Sequence, residues 1–233
     1  MSKKKEVLKV YESIAEAWDR LRRKPYAELY HFLDEVSNEV STGKVIDVGC
    51  GNARNGIEFA KKGFDVFCVD ISRKMIEIAR KNAEKERVKM KFVVADVCAL
   101  PFKENSFDVL LSIAVIHHLE ENERIKALNE MKRVMKDGGI GLISVWHRNY
   151  IKYILKFAPK YLSQKIIGNS GDMYIPWKTK EKVFYRFYHL FSLGEFKKEL
   201  LRSGIEILKI FPEKKAKFKS FIFSRNIFAK IKK

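Results

Sequence analysis

The amino-acid sequence predicts an α/β fold in which a mostly parallel β-sheet is covered by helices on both faces. From Lys44 onward, short segments rich in Val, Ile and Leu alternate with amphipathic segments, as expected for strands buried in a parallel sheet. The chain has 233 residues, 46% of them hydrophobic, and can therefore bury one sizeable core. We expect a single domain over residues 1–233.

Two helices are predicted ahead of the sheet. Within residues 5–40, apolar side chains recur at helical spacing in two runs, the first around Val7 and Trp18 and the second around Leu33. Pro25 separates the two runs, because proline cannot continue a helix. We interpret this segment as an N-terminal helical extension.

Residues 44–148 predict five strands separated by helices. The strands are "KVIDVGC", "DVFCVDI", "MKFVVADV", "FDVLLSIAV" and "GIGLISVW". The "DGG" at 137–139 predicts a turn before the fifth strand. Such a segment is long enough to form the ligand-binding core of an α/β protein.

The rest of the chain has two parts. Residues 149–192 are rich in aromatic side chains and lysines, contain a "GNSGD" loop and show no clean period, and we interpret them as an inserted lid that binds substrate. Residues 193–233 predict a helix, "LGEFKKELLRSG", that ends at Gly204. Two strands, "IEILKIF" and "KSFIFSRNIFAKI", then complete the sheet.

The charge balance predicts a polyanionic partner. Lys and Arg total 47 against 29 Asp and Glu, which gives a net charge of +18. This excess of positive charge suits binding to nucleic acid or to an anionic membrane surface and does not distinguish between them. Heat-adapted proteins also have Lys- and Glu-rich surfaces, but these carry balanced charge. Candidate contacts to phosphate are Lys3–Lys5, Arg20–Lys24 and the lysines of 152–182 and 214–219.

The cysteines and the N-terminal segment bear on the compartment. Cys50, Cys68 and Cys98 are odd in number and lack CxxC spacing, so we expect free thiols in a reducing compartment and no metal site. The N-terminal segment has no continuous apolar run, and no stretch approaches the ~18 apolar residues of a membrane span. We expect a cytoplasmic protein.

A glycine turn between strand and helix is the first candidate binding element. The segment "VIDVGCGNARNG" (45–56) predicts a strand, a turn and a helix, and Gly49 and Gly51 would let the backbone approach a ligand. A dinucleotide-binding fingerprint would place a third glycine where this chain has Arg54. A pyrophosphate at the helix N-terminus, and with it a nicotinamide-dependent oxidoreductase, is therefore disfavoured.

Acidic residues follow the predicted strands at the same edge of the sheet. Asp70 ends the second strand and Asp96 the third. Asp70 could therefore accept hydrogen bonds from the ribose hydroxyls of an adenosine, and Asp96 could accept one from its adenine amine. Asp47, within the first strand, would hold the glycine loop and balance a cationic ligand. Each acid taken singly could instead be a helix N-cap.

As a set, "VIDVGCG", "VD" and "AD" make residues 44–148 resemble class I S-adenosylmethionine-dependent methyltransferases. The resemblance implies a Rossmann-like, mostly parallel seven-stranded sheet, with residues 44–148 as the cofactor-binding core and S-adenosyl-L-methionine as the cofactor. It also implies the following cofactor-binding residues: Asp47, Gly49, Cys50, Gly51, Asn52, Asp70, Ile71, Asp96, Val97, Ile113 and Ala114.

Four further blocks resemble the tRNA wobble-uridine carboxymethyl methyltransferases over most of residues 11–196. They are "YESIAEAWDRLRRKPY", "SIAVIHHL", "SVW" and "FYRFYHLFSLGE". The chain departs from that family where GCGNGK is replaced by "GCGNAR" and a tryptophan by Tyr26. The resemblance implies methylation of the carboxylate of 5-carboxymethyluridine, with the tRNA anticodon stem-loop and a small zinc-binding activator subunit as partners. The alternatives are a small-molecule methyltransferase and a non-catalytic RNA-binding protein on the same fold.

The same blocks imply the catalytic candidates. Arg22, Arg186, Tyr188 and His189 match the family blocks, and we expect them to orient the carboxylate and the uridine. Neighbouring residues that leave a strand point in opposite directions, so His117 and His118 could not easily bind one metal together. We favour His117 as the residue that faces the substrate, and the sequence does not decide between the two. His117 could also be a structural histidine or, less readily, a metal ligand, since no Cys/His set has ligand spacing.

Overall fold

The structure, a computed structural model, describes residues 2–39, 42–148, 171–179, 181–213, 221 and 224–233. The helices are α1 (Lys3–Leu21), α2 (Ala27–Glu39), α3 (Arg54–Lys61), α4 (Arg73–Lys85), α5 (Glu121–Val134) and α6 (Leu193–Arg202). The strands are β1 (Lys44–Val48), β2 (Asp65–Asp70), β3 (Lys91–Val94), β4 (Phe107–Ile113), β5 (Met135–Trp146), β6 (Asp172–Lys178), β7 (Val183–His189), β8 (Glu206–Pro212) and β9 (Asn226–Lys232).

A seven-stranded sheet in the order β3-β2-β1-β4-β5-β9-β8 forms the centre of the molecule. The strands from β3 to β5 pair in parallel, and β9 pairs antiparallel with β5 and β8. The carboxyl ends of β1 to β4 therefore lie along one edge, where ligands bind in open α/β sheets. This arrangement confirms the predicted fold class.

Helices cover both faces of this sheet because its strands are apolar on both sides. Neighbouring residues of β1 belong to different apolar clusters: Val45 packs with α2, α3 and α4, whereas Ile46 packs with α5 and α6. Residues Val109 and Leu110 of β4 divide in the same way. The continuous Val/Ile/Leu runs of the sequence are thus explained by burial on both faces.

The two helices ahead of the sheet form as predicted, and α1 lies beside the edge at which the strands end. It contacts α4, β7 and the short 3₁₀ turn Ile116–His118 that follows β4. Within the described part of the chain, no helix combines the length and the apolar character needed to span a membrane.

The predicted turn at 137–139 is wrong, because those residues lie inside β5. The pairing of β4 with β5 shifts there, from Phe107 opposite Met135 to Val109 opposite Ile140. The backbone of the glycine segment bonds to the last residue of the chain: Gly138 N–H donates to the Lys233 carbonyl at 3.3 Å. The "DGG" therefore makes an irregularity within a strand and not a turn before it.

Part of the predicted insertion is a hairpin. Strands β6 and β7 pair antiparallel as a separate two-stranded sheet. Residues 149–170, and with them most of the "GNSGD" loop, lie outside the described residues. Helix α6 and strands β8 and β9 follow where the sequence predicts a helix and two strands.

Candidate active site

A cavity lies at the carboxyl ends of β1 to β4, between α1 and the β6–β7 hairpin. Most of the predicted site residues line it: Arg22, Gly49, Cys50, Gly51, Asp70, Ile71, Asp96, Val97, Ile113, Ala114, His117, Arg186 and Tyr188. The predicted residues Asp47, Asn52 and His189 are not among the described residues that line it.

Two glycines of the glycine loop have backbone conformations that favour glycine. Gly49 and Gly51 have φ angles of +69° and +56°, a region that side-chain-bearing residues rarely adopt. A Cβ on Gly49 would also lie 2.5 Å from a methyl carbon of Val115. The N–H groups of Gly49 and Cys50 both donate to the Val69 carbonyl, at 2.7 and 2.9 Å, so the loop is fixed to the end of β2.

Asp70 lies at the end of β2 beside this loop. Its Oδ2 accepts the Gly51 N–H at 2.9 Å, and its Oδ1 accepts the Ser72 N–H at 2.9 Å. Burial raises the pKa of Asp70. Each carboxylate oxygen has a second lone pair, so the side chain can accept the two hydroxyls of a ribose while it holds the loop.

Asp47 and Asn52 support the loop from behind the cavity. Asp47 is buried, its Oδ2 accepts the Gly56 N–H at 3.1 Å, and burial raises its pKa to about 7. The side-chain amide of Asn52 donates to Asp19 Oδ1 at 2.8 Å and to the Arg22 carbonyl at 3.0 Å. Both side chains therefore support the loop and the start of α3, and their part in cofactor binding stays a prediction.

Asp96 lines the cavity two residues beyond β3, and it is already paired. Its Oδ1 accepts the Cys98 N–H at 2.9 Å, and its Oδ2 lies 2.6 Å from Lys4 Nζ. Lys4 is also paired with Glu123 at 3.0 Å, and Lys3 with Asp172 at 3.2 Å. Lys3 and Lys4 thus both pair with carboxylates of the protein itself, and their contact with phosphate stays a prediction. An adenine amine would share Asp96 with Lys4. We call Asp70 and Asp96 the acidic end of the cavity.

The adjacent histidines lie close together, against expectation. They belong to the 3₁₀ turn Ile116–His118 and not to the strand, so their rings do not diverge. The ring centres of His117 and His118 are 4.6 Å apart, and both side chains line the cavity. We call His117, His118, Arg186 and Tyr188 the histidine end of the cavity.

Both histidines are neutral. His117 is 1% exposed, and burial lowers its pKa well below the usual value. Burial also lowers the pKa of His118 to about 3. The Trp146 N–H donates to His117 Nδ1 at 3.3 Å, which leaves the proton of that neutral ring on Nε2. His118 Nδ1 lies 2.9 Å from the Phe187 carbonyl and its Nε2 lies 3.0 Å from the Tyr11 hydroxyl.

Arg186 brings a cation to these neutral rings. Its guanidinium carbon lies 5.9 Å from the ring centre of Tyr11, 5.0 Å from that of Trp177 and 5.2 Å from that of Tyr188. Its Nη1 donates to the Tyr11 hydroxyl at 3.4 Å. The side chain is 6% exposed. A guanidinium held among aromatic rings is suited to binding a carboxylate.

His189 lies away from the cavity and ties the hairpin to α6. Arg186 and Tyr188 point to one face of β7, and the strand period turns His189 to the other. Its Nδ1 lies 2.7 Å from Asp172 Oδ1, and its Nε2 lies 2.7 Å from Glu195 Oε1. The structure thus gives no support to the predicted catalytic contact and indicates a structural role.

Several cavity residues were missed by sequence reasoning. They are Lys4, Tyr11, Trp18, Arg54 and Trp146. Tyr11 and Trp18 occur at helical spacing, from which we predicted a helix but no part in a site. Among the described residues, no group of three or more His, Cys, Asp or Glu side chains is placed to hold a metal ion.

Comparison with known proteins matches this chain to methyltransferases. A family model described as "Methyltransferase domain" matches residues 45–139. An Encephalitozoon cuniculi protein named a methyltransferase is 31% identical over 203 residues, covering 87% of this chain and 88% of that protein. A tRNA (carboxymethyluridine(34)-5-O)-methyltransferase of Schizosaccharomyces pombe is 29% identical and covers 87% of this chain and 90% of that protein.

Two further matches bear on length and fold. A tRNA (carboxymethyluridine(34)-5-O)-methyltransferase of Arabidopsis thaliana is 36% identical over 179 residues, which are 74% of this chain and 41% of that protein. The chain thus spans less than half of that relative. The crystal structure of a SAM-dependent methyltransferase from Methanosarcina mazei has the same fold, with a TM-score of 0.71 at 21% identity over 89% of this chain and 97% of that one.

Proposed function

Because this chain belongs to the class I S-adenosylmethionine-dependent methyltransferases, we propose that it methylates the carboxylate of 5-carboxymethyluridine at the wobble position of a tRNA anticodon loop. S-adenosylmethionine is its methyl donor. The acidic end of the cavity fits this cofactor: Asp70 has lone pairs for ribose hydroxyls, and Asp96 is an acceptor that an adenine amine can share with Lys4. Relatives at about 30% identity carry the name of the proposed activity.

The observation that carries the proposal is Arg186 at the histidine end. A carboxylate acceptor needs a cation that orients it, and Arg186 is a buried cation on the cavity wall. His117 and His118 are neutral there, so they do not add charge that would weaken the nucleophile. The Nε2 proton of His117 is available to donate a hydrogen bond to the same acceptor.

The chemistry requires no general base. A carboxyl group has a pKa near ~4, so the acceptor is already ionised at neutral pH. Its oxygen attacks the methyl carbon of the sulfonium, the carbon–sulfur bond breaks, and the electron pair goes to sulfur. A methyl ester and neutral S-adenosylhomocysteine result, with no proton transferred. The protein therefore contributes alignment and the exclusion of water.

Water exclusion is supported by the walls of the histidine end. Tyr188 is 1% exposed and stacks on Trp146, with ring centres 4.4 Å apart, and on His117 at 5.1 Å. Tyr11 on α1 closes the other side through its contact with His118. We propose that Arg22 contributes more to binding the cofactor than to binding the methyl acceptor. Its backbone carbonyl accepts hydrogen bonds from the side chains of Asn52 and Arg54, which belong to the glycine loop and the start of α3.

The RNA substrate is supported by charge and by the hairpin. The net charge of +18 suits a polyanion. On the hairpin, Tyr174 and Tyr185 are 39% and 58% exposed, and Lys178 and Lys182 of the same hairpin are also exposed. Exposed aromatic rings beside lysines suit unpaired bases and their phosphates. We propose that the insertion 149–192 binds the anticodon loop, of which residues 171–179 and 181–192 are described.

The test is a methylation assay with defined RNA. Purified protein is incubated with labelled S-adenosylmethionine and tRNA that carries 5-carboxymethyluridine, and the nucleosides are analysed by mass spectrometry. The expected product is the methyl ester, absent when the same tRNA carries unmodified uridine. Arg186→Met should lose turnover while S-adenosylhomocysteine affinity changes less than about threefold. Unchanged 5-carboxymethyluridine in the presence of bound cofactor would exclude this substrate.

The activator subunit implied by the resemblance remains part of the proposal. Strand β3 is one edge of the sheet, and its Val94 is 44% exposed. An exposed apolar edge strand is a place where another chain can pair. We expect co-expression with a zinc-binding activator to raise turnover, and Val94→Lys to abolish that gain. Equal turnover with and without the activator would contradict it.

A further inference from the structure

His118 lines the cavity without a direct part in the proposed reaction. Its Nδ1 lies 2.9 Å from the Phe187 carbonyl, and its Nε2 lies 3.0 Å from the Tyr11 hydroxyl. A carbonyl can only accept a hydrogen bond, so Nδ1 carries the ring proton and donates. Because the ring is neutral, Nε2 has a lone pair and accepts. The Tyr11 hydroxyl is therefore the donor to His118.

The same hydroxyl links His118 to the buried cation of the site. Its hydrogen is directed at His118, while its oxygen keeps lone pairs that can accept. Arg186 Nη1 donates to this oxygen at 3.4 Å, a long hydrogen bond. The bonds thus run in one direction, from Arg186 through Tyr11 to His118. They end on the carbonyl of Phe187, the residue after Arg186 on β7.

A hydrogen bond gives the guanidinium a direction that ring faces alone do not. The ring centres of Tyr11, Trp177 and Tyr188 lie between 5.0 and 5.9 Å from the guanidinium carbon. Attraction to a ring face keeps a cation near the ring and leaves the direction of its N–H groups variable. A hydrogen bond weakens steeply when its donor angle falls below about 120°, so the Tyr11 oxygen sets where Nη1 points. The other N–H groups follow, because the guanidinium is rigid and planar.

The two histidines differ in the atoms that they leave for an acceptor. The Trp146 N–H donates to His117 Nδ1 at 3.3 Å, so the protonated Nε2 of His117 can donate to a ligand in the cavity. Both ring nitrogens of His118 are bonded to the protein itself. His117 can therefore contact the acceptor, whereas His118 acts on it through Tyr11 and Arg186.

We propose that Tyr11 and His118 are positioning residues that aim Arg186 at the acceptor and thereby set the preference of the site for a carboxylate. The inference rests on the proposed function and names what gives that site its selectivity. A planar guanidinium can donate two hydrogen bonds to the two oxygens of a carboxylate. A carboxamide has nearly the same size but offers one oxygen and two N–H donors. A correctly aimed Arg186 therefore discriminates between the two groups.

The affinities of three RNAs measure this selectivity without methyl transfer. Each RNA is a fluorophore-labelled anticodon stem-loop that carries 5-carboxymethyluridine, its carboxamide or unmodified uridine at the wobble position. Fluorescence anisotropy gives the affinities with S-adenosylhomocysteine at saturation. We expect the wild-type chain to prefer the acid to the carboxamide at least about 10-fold. Tyr11→Phe should reduce this preference about 5- to 10-fold and change the affinity for unmodified RNA less than about twofold.

Substitutions of His118 test the same bonds independently. His118→Gln keeps an oxygen that can accept from the Tyr11 hydroxyl, whereas His118→Leu removes the acceptor. We expect His118→Leu to lose as much of the preference as Tyr11→Phe, and His118→Gln to keep more of it. A general distortion of the cavity would weaken all three RNAs together, so loss of the preference alone is specific to positioning. If Tyr11→Phe does not fold, the comparison of the two His118 variants decides.

The matched control is Tyr30→Phe, which removes the same hydroxyl from an exposed tyrosine on α2 that is not among the described residues lining the cavity. It should leave all three affinities unchanged. A Tyr11→Phe variant that keeps the wild-type preference for the acid would overturn this inference and leave the proposed function standing. A wild-type chain that binds the three RNAs equally would overturn both.

Discussion

At the histidine end, Arg186 places a permanent cation beside the aromatic rings of Tyr11, Trp177 and Tyr188. Arg186 lowers the pKa of both His117 and His118, in addition to the effect of burial. The proposed nucleophile ionises near pH ~4. Neither the acceptor nor the histidines therefore change charge close to neutral pH.

This arrangement predicts a flat pH profile. With saturating cofactor and RNA, kcat should change less than about twofold between roughly pH 6 and pH 8.5. Saturation matters because Asp47, beneath the glycine loop, has a pKa raised to about 7 and titrates within this window. Measurement of single-turnover rates across the range checks the prediction. A rate that falls below about pH 6.5 would instead indicate a histidine that acts as a base.

Gly49 allows a second prediction at a single position. Gly49→Ala must accept a left-handed φ, which costs about 1 kcal/mol, and must displace Val115, whose methyl carbon would lie 2.5 Å from the new Cβ. We expect the free energy of unfolding to fall by about 3 kcal/mol, with loss of S-adenosylhomocysteine binding. Urea denaturation and calorimetry measure the two effects.

Gly63 is the matched control for that substitution. It also has a positive φ, +89°, but no atom lies within 4 Å of an added Cβ. Gly63→Ala should therefore cost only the conformational part, about 1 kcal/mol, and should leave cofactor binding intact. An equal loss of stability for the two variants would show that contact with Val115 is unimportant.

At the level of elements, α1, the β6–β7 hairpin and α6 are joined by charged groups. Lys3 of α1 bonds to Asp172 of β6, and His189 of β7 lies between Asp172 and Glu195 of α6. Burial alone would lower the pKa of His189, but the hydrogen bonds that its ring donates to Asp172 and Glu195 outweigh this effect, and the pKa is raised. The pKa values of both carboxyls are lowered, that of Asp172 chiefly by its bond to His189.

The junction at His189 should make stability depend on pH. The pKa of His189 is raised on folding, so its contribution is complete below its unfolded pKa of ~6.5 and is lost as pH rises through the folded value. We expect His189→Gln to cost about 2 kcal/mol at pH 5.5 and less at pH 9. Thermal unfolding of both proteins across this range measures the difference. A cost for His189→Gln that stays constant between pH 5.5 and pH 9 would contradict the ionic account.

The elements also show what the sequence could and could not predict. The glycine loop and the acids Asp70 and Asp96 were placed correctly, because a parallel sheet brings all of its strand ends to one edge. The roles of Tyr11 and Trp18 were not found, since helical spacing is the same for a helix that packs on a core and for one that closes a cavity. His118 and His189 were misjudged because strand alternation was assumed beyond the end of β4 and was not applied along β7.

For the whole molecule, the one-sided charge predicts how binding responds to salt. Between about 50 and 200 mM KCl, affinity for the tRNA should fall at least about 100-fold, as expected when several phosphates are neutralised. Affinity for S-adenosylhomocysteine, a small zwitterion, should change less than about fivefold over the same range. Filter binding and calorimetry compare the two. A tRNA affinity that is independent of salt would mean that the charge of +18 does not contact the RNA backbone.

The position of β9 within the sheet has a consequence for synthesis of the chain. Residues 226–232 insert between β5 and β8, although they follow both of these strands in the sequence. Until they leave the ribosome, the long strand β5 keeps one side without its pairing partner, while the whole cofactor loop has already emerged. Nascent chains would then expose an unpaired strand edge until β9 is made. Pausing of translation between the codons for β5 and those for β9 would prolong that exposure, so we expect codon choice there to affect yield.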